Sequence, residues 1–131
     1  MEIISTTVAP RRTLSPRLLV QMPVYASWTD GNTGEIVSVS GTTETIGTTS
    51  VLVNFDNLPP VGGNVHLKMM NEEDTLLEVQ TRVIRVERDP SKPLAALNVL
   101  DRVDEWKERV WTTAQEVLAK TYEHDEDEWI N

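Results

Sequence analysis

Three arginines near the N-terminus, Arg11, Arg12 and Arg17, have the residue type and spacing best suited to holding a ligand. A guanidinium is a planar fork of donors that grips phosphate bidentately and stacks on a purine face. Within the first twenty residues these arginines are opposed only by Glu2, so the segment is net positive. The whole chain, in contrast, carries 21 Asp and Glu against 12 Lys and Arg, a net charge of −9. A local reversal of sign at one end suits an anionic, nucleotide-like ligand held against the rim of a folded body; the alternative is a soluble terminus and nothing more.

The other candidate groups lead to plainer readings. His66 lies between Val65 and Leu67 and is expected on the outward side of a strand. His124 opens His124-Asp125-Glu126-Asp127-Glu128, an acidic run that lacks a fold to arrange it as a metal site. Glu72-Glu73-Asp74 falls in a turn, where nothing would raise a carboxylate pKa, and Gly31-x-x-Gly34, flanked by Asp30 and Glu35, reads as a hairpin turn. With no cysteine, no nucleophile elbow, no phosphate loop and no zinc-helix motif, the chain is expected to be non-catalytic and to need no metal or cofactor.

Composition limits the class further. At 131 residues, 39% hydrophobic and 25% charged, the chain is long enough to form one core without staples. Its acidity opposes binding to nucleic-acid polymers and anionic membranes, since both rely on basic surface. No stretch approaches the roughly 20 apolar residues of a membrane-spanning helix, so a cytoplasmic location is expected.

The elements that would position the arginines follow from periodicity. Leu18, Val20, Met22, Val24, Ala26 and Trp28 alternate with polar neighbours as in a half-buried strand, and Pro23, which cannot donate a ladder bond, implies an edge or a bulge. Further strands are expected at Glu35–Ile46, Ser50–Phe55, Gly63–Met70, Thr75–Glu87 and Leu94–Leu100, separated by turn-forming clusters. Six short strands without intervening helices imply an antiparallel sheet closed into a barrel or sandwich. After Asp101, an expected N-cap, Val103, Trp106, Val110, Val117 and Leu118 form a helical apolar stripe with Trp111 and Ala114 beside it. Trp106 and Trp111 are five residues apart, so a regular helix would turn only one of them toward the barrel.

The order of these elements resembles the PilZ domain, the bacterial receptor module for cyclic di-GMP. The likeness runs from about Arg11 to Val117 through the arginine-bearing arm, the Met22-Pro23-Val24 strand, Leu58-Pro59-Pro60-Val61-Gly62-Gly63-Asn64-Val65-His66-Leu67, Val79-Gln80-Thr81-Arg82-Val83-Ile84-Arg85-Val86-Glu87 and the closing helix. It implies a mostly β fold, a six-stranded antiparallel barrel with a C-terminal α-helix. It also implies a two-part ligand site, Arg-x-x-x-Arg on the arm and Asp/Asn-x-Ser-x-x-Gly on the barrel. Arg12 and Arg17 stand for the arm arginines with four residues between them instead of three, and Arg11 substitutes in part. On the barrel, Thr45, Gly47 and Ser50 occupy the positions of the acid or amide, the serine and the glycine.

The resulting expectation has three segments: a flexible arm at 1–17, the barrel and helix at 18–122, and a solvated acidic tail at 123–131. The function implied is that of a non-catalytic signalling domain with weak or lost cyclic di-GMP binding. The alternative is a nucleotide-independent adaptor that docks an unidentified protein, or a second copy of itself, through the C-terminal helix and barrel surface.

Overall fold

The computed structural model describes residues 16–120, so Arg11, Arg12, most of the expected arm, His124 and the acidic tail lie outside the described residues. The expected Leu18–Trp28 strand is present in two pieces, β1 (Arg17–Leu19) and β2 (Pro23–Thr29). Pro23 begins the second piece, because it cannot donate to a ladder. Alternation survives the break: Val20, Met22, Val24, Ala26 and Trp28 are all buried. A buried threonine spans the gap. The Thr43 hydroxyl accepts from the Met22 N–H at 2.8 Å and donates to the Val20 carbonyl at 2.6 Å, so one side chain pairs two of the backbone groups at the break.

Both pieces lie along β3 (Ile36–Gly47), with Arg17 opposite Gly47 and Pro23 opposite Thr42. Arg17, expected as the last residue of the arm, is therefore the first residue of a strand. β4 (Ser50–Phe55), β5 (Asn64–Asn71), β6 (Asp74–Glu87) and β7 (Leu94–Val99) complete the sheet. The hydrogen-bonded order is β1-β3-β2-β5-β6-β7-β4, and pairing of β3 with β4 closes six strands into an antiparallel barrel, with β1 as an extension of β2's edge. β3 belongs to both sides of the closure. At Gly41 it passes from β2 to β4, and a Cβ there would lie 2.4 Å from the Asn54 carbonyl oxygen and 2.6 Å from the Phe55 ring. Only glycine fits that approach.

Bulges adjust the period. A register shift in β6 between Val83 and Arg85 leaves Ile84 54% exposed while Leu77, Val79, Thr81 and Val83 point inward. The Asp30–Gly34 segment is the expected hairpin turn, with the Asp30 carboxylate accepting from the Asn32 and Thr33 N–H groups at 2.7 and 3.2 Å.

The C-terminal helix, α1, begins at Val103–Glu105, widens to π over Trp106–Trp111 and continues as α over 112–120. Asp101 does not cap it. Its carboxylate accepts from the Gln80 N–H at 2.9 Å, and the N-cap position is held by Arg102 in the left-handed region, φ 53°, with no side-chain cap bond. Trp106, Val110 and Ala114 are fully buried against the barrel core, so Ala114 lies within the stripe and not beside it. Trp111 is half-buried and also packs on the core. In a π segment the bonding runs i→i+5, which swings a residue five positions on toward the same face. That is how the second tryptophan reaches the core.

Candidate functional site

β1 and the β3–β4 hairpin bring four of the expected residues together. Arg17 is held opposite Gly47 by strand pairing, which aims its guanidinium at the hairpin that Thr48 and Thr49 turn. Arg17 Nε and Nη2 donate to Thr45 Oγ1 at 3.2 and 2.9 Å, and Nη1 donates to Ser50 Oγ at 2.9 Å. Gly47 is the floor: a Cβ there would stand 3.0 Å from Ser50 Oγ and 3.3 Å from Arg17 Nη1. Arg11 and Arg12, expected to join this group, lie outside the described residues.

The donor arithmetic decides what this cluster can hold. A guanidinium has five N–H donors and no acceptor, and three of them are engaged here, leaving two. Thr45 Oγ1 accepts two of those bonds, which uses both its lone pairs, and Ser50 Oγ accepts one; each hydroxyl keeps its own hydrogen to donate. The cluster therefore offers two N–H and two O–H donors, a full positive charge and one spare lone pair. Such a set suits an acceptor-rich anion such as phosphate. It does not suit the N–H edge of a guanine, which needs the acceptors of a carboxylate or amide.

No carboxylate neutralises Arg17 among the described residues, although the chain is strongly acidic. Arg85 pairs with Glu87, Arg102 with Glu105 at 2.8 Å, and Arg109 approaches the same Glu105 carboxylate at 3.9 Å. Arg82 and Arg88 make no side-chain hydrogen bond within the described residues. Arg17 differs from both groups, being ordered by hydrogen bonds yet uncompensated in charge.

Beneath the cluster is a contact that the spacing of residues did not suggest. The fully buried Trp106 donates its indole N–H to the Gly47 carbonyl at 2.9 Å, tying α1 to the site floor. The only signal in the sequence was a tryptophan in the apolar stripe, whose N–H requires a partner once buried.

A second polar cluster lies on the outer face of β5 and β6. Cross-strand register sets His66 opposite Gln80 and, on the other side, Ser27. The ring is outward-facing and polar, as expected, but both nitrogens are engaged, with Glu78 Oε1 at 2.8 Å from Nε2 and the Gln80 amide nitrogen at 2.9 Å from Nδ1. The Gln80 amide thus faces Nδ1 and the Glu78 carboxylate faces Nε2. The bond to His66 holds the Glu78 carboxyl below the usual range, with Lys68, His66 and Arg102 adding to the effect against slight burial. Neither nitrogen is left to act as a base toward Ser27, although these groups line a groove of ≈ 470 Å³ with Tyr25, Ser38, Ser40 and Lys68. Among the described residues no His, Asp or Glu side chains converge as a metal site, and no helix is long and apolar enough to cross a membrane.

No family model matches the sequence, and comparison with curated proteins finds no relative. Solved structures do match. The PilZ domain of CeSA from a cellulose-synthesizing bacterium aligns with a TM-score of 0.50 at 18% identity, over 70% of this chain and 87% of that one. The PilZ domain of YcgR from Escherichia coli, solved with c-di-GMP, aligns with a TM-score of 0.62 at 8% identity, over 86% of this chain and 96% of that domain. YcgR in complex with c-di-GMP, also from Escherichia coli, gives 0.54 at 8% identity; this chain spans 48% of its length. At these identities the likeness establishes the fold, and the chain is a PilZ-like barrel with a C-terminal helix.

Proposed function

We propose that this PilZ-like chain is a non-catalytic regulatory domain of bacterial cyclic di-GMP signalling, in which Arg17 grips a phosphate and the base edges go largely unread. The observation that carries the proposal is the Arg17 guanidinium itself, ordered by the Thr45 and Ser50 hydroxyls and opposed by no carboxylate among the described residues. An ordered cation loses little freedom on binding, and an uncompensated one gains an anion without breaking an ion pair. Arg11 and Arg12 precede it in sequence by six and five positions, close enough to add charge to the same ligand. Thr45 offers a hydroxyl where a carboxylate or amide would read guanine, and Gly47 offers no side chain where a serine would, so binding is weak and discriminates poorly between bases.

The experiment is a calorimetric titration, with cyclic di-GMP and with pyrophosphate, of the natural sequence and of the triple variant Thr45→Asp, Gly47→Ser, Ser50→Gly. Restoring acceptors should raise affinity for cyclic di-GMP relative to pyrophosphate about tenfold or more, because a hydrogen bond to a charged group contributes about 1.5–3 kcal/mol and only the base edge gains it. A carboxylate at position 45 would pair with Arg17 and weaken the phosphate grip common to both ligands. The three changes are sterically linked: the serine Cβ at position 47 would crowd Ser50 Oγ at 3.0 Å, and Ser50→Gly removes that atom. Absence of binding both before and after the triple change would refute the nucleotide reading and leave the adaptor role, with α1 and the barrel surface as the docking elements.

A further inference from the structure

We infer that Trp106 is a positioning residue for the Arg17 cluster and that α1 and the cluster are coupled through one carbonyl group, that of Gly47. The inference deepens the phosphate-gripping reading above and rests on it only for the ligand arm of its test. Four observations carry it. The Trp106 indole donates to the Gly47 carbonyl at 2.9 Å in a fully buried setting, where loss of the bond would leave that carbonyl unpaired by the indole. Gly47 lies between the two hydroxyls that hold Arg17 and opposite Arg17 in the β1–β3 register, so its height within the hairpin sets the distance from β1 to Thr45 and Ser50. Arg17 Nη1 is 3.3 Å from where a Cβ of Gly47 would stand, so the guanidinium lies over the glycine with no room for a side chain between them. Finally, Trp106 is the first residue of the π segment, which ends at Trp111.

A π segment interrupts the regular i→i+4 ladder, and such interruptions are frequent at functional sites. Here it lets Trp106 and Trp111 both reach the core and places the indole N–H over Gly47. A rigid path of two hydrogen bonds and one strand pair thus runs from the helix to the guanidinium. Whatever occupies Arg17 must bias α1, and whatever holds α1 must bias Arg17 by the same factor, because coupling between sites is reciprocal.

The test uses the full chain labelled with ¹⁵N and needs no ligand for its main arm. In Arg17→Ala and Ser50→Ala the Trp106 indole N–H resonance should shift, while Arg88→Ala, at the rim of a separate groove, should leave it in place. In Trp106→Phe, which keeps an aromatic ring and removes the donor, exchange of the Arg17 Nε–H with water should accelerate about tenfold while the amide spectrum stays folded. A purely structural tryptophan would cost stability without touching that exchange rate. An unmoved indole signal in both Arg17→Ala and Ser50→Ala overturns the inference, even if Trp106→Phe fails to fold. In the ligand arm, titration with pyrophosphate should give an affinity about fivefold lower for Trp106→Phe than for the natural chain. Equal affinities would overturn the coupling, whereas absence of binding by both, with the indole shifts still present, would refute the phosphate reading alone.

Discussion

The two polar clusters on this barrel each hold an arginine and treat its charge in opposite ways. On the outer face of β5 and β6, Glu78 bonds His66, Arg102 donates to the Glu78 carbonyl at 3.0 Å and to both Glu105 oxygens at 2.9 and 2.8 Å, and Arg109 approaches the same carboxylate. Those groups answer one another. At the β1–β3–β4 corner, the Arg17 cation is held by two hydroxyls, which fix its direction but leave its charge in place. The lesson is that an ion-pair network consumes the chemistry of its members, whereas an ordered, unneutralised cation retains it for a partner.

The largest effect expected from breaking this contrast is at Trp106, below the Arg17 corner. Trp106→Ala removes a fully buried ring and should lower unfolding free energy by about 3–5 kcal/mol, read by chemical denaturation. Arg17→Ala comes next and sharpens the contrast. It should reduce affinity for cyclic di-GMP tenfold or more while barely moving the melting temperature, since its hydrogen bonds are exposed. Arg102→Ala should do the reverse: a modest fall in melting temperature with unchanged ligand affinity. If the two variants behaved alike, the distinction between a closed network and an open one would fail.

The smallest effect concerns pH. The Arg102 guanidinium holds the Glu105 carboxyl below its ordinary value, as the His66 bond does for Glu78, and Ser91 does for Asp89 through two hydrogen bonds. A carboxyl whose pKa is depressed by folding contributes stability above its unfolded value, and that contribution is lost as pH falls through the folded one. Stability should therefore decline below about pH 4.5, the ordinary glutamate value, and Glu78→Gln with Glu105→Gln should flatten the decline. Thermal melts between pH 6 and pH 3 would measure this. All of these groups face solvent, so the change is small.

Much of this was legible in the residues, and the limits have physical causes. Two-residue alternation locates each strand to within a residue or two, because one face of each strand is buried; Pro23, read as an edge or a bulge, instead starts β2 after a break, with β2 between β3 and β5. The family resemblance assigns Arg17, Thr45, Gly47 and Ser50 to one site, but it does not give the form of their contact. Contacts across 28 and 33 residues depend on register, and register depends on the bulge between Thr43 and Thr45. Asp101 had the residue type of a helix cap and went instead to the Gln80 N–H, a tertiary bond that local pattern cannot report. The π segment was equally hidden, since regular helical periodicity places Trp111 away from the core and only packing brings it round.

The central claim is that Arg17 and its two hydroxyls grip phosphate through charge and do not read the base. Parallel calorimetric titrations with cyclic di-GMP and with pyrophosphate, each at low and high salt, on the natural chain and on Arg17→Ala, test it most directly. The account predicts weak binding of both ligands, of similar strength, that declines as salt screens the charge and is largely lost in Arg17→Ala. Tight, salt-insensitive binding of cyclic di-GMP that survives Arg17→Ala would contradict it.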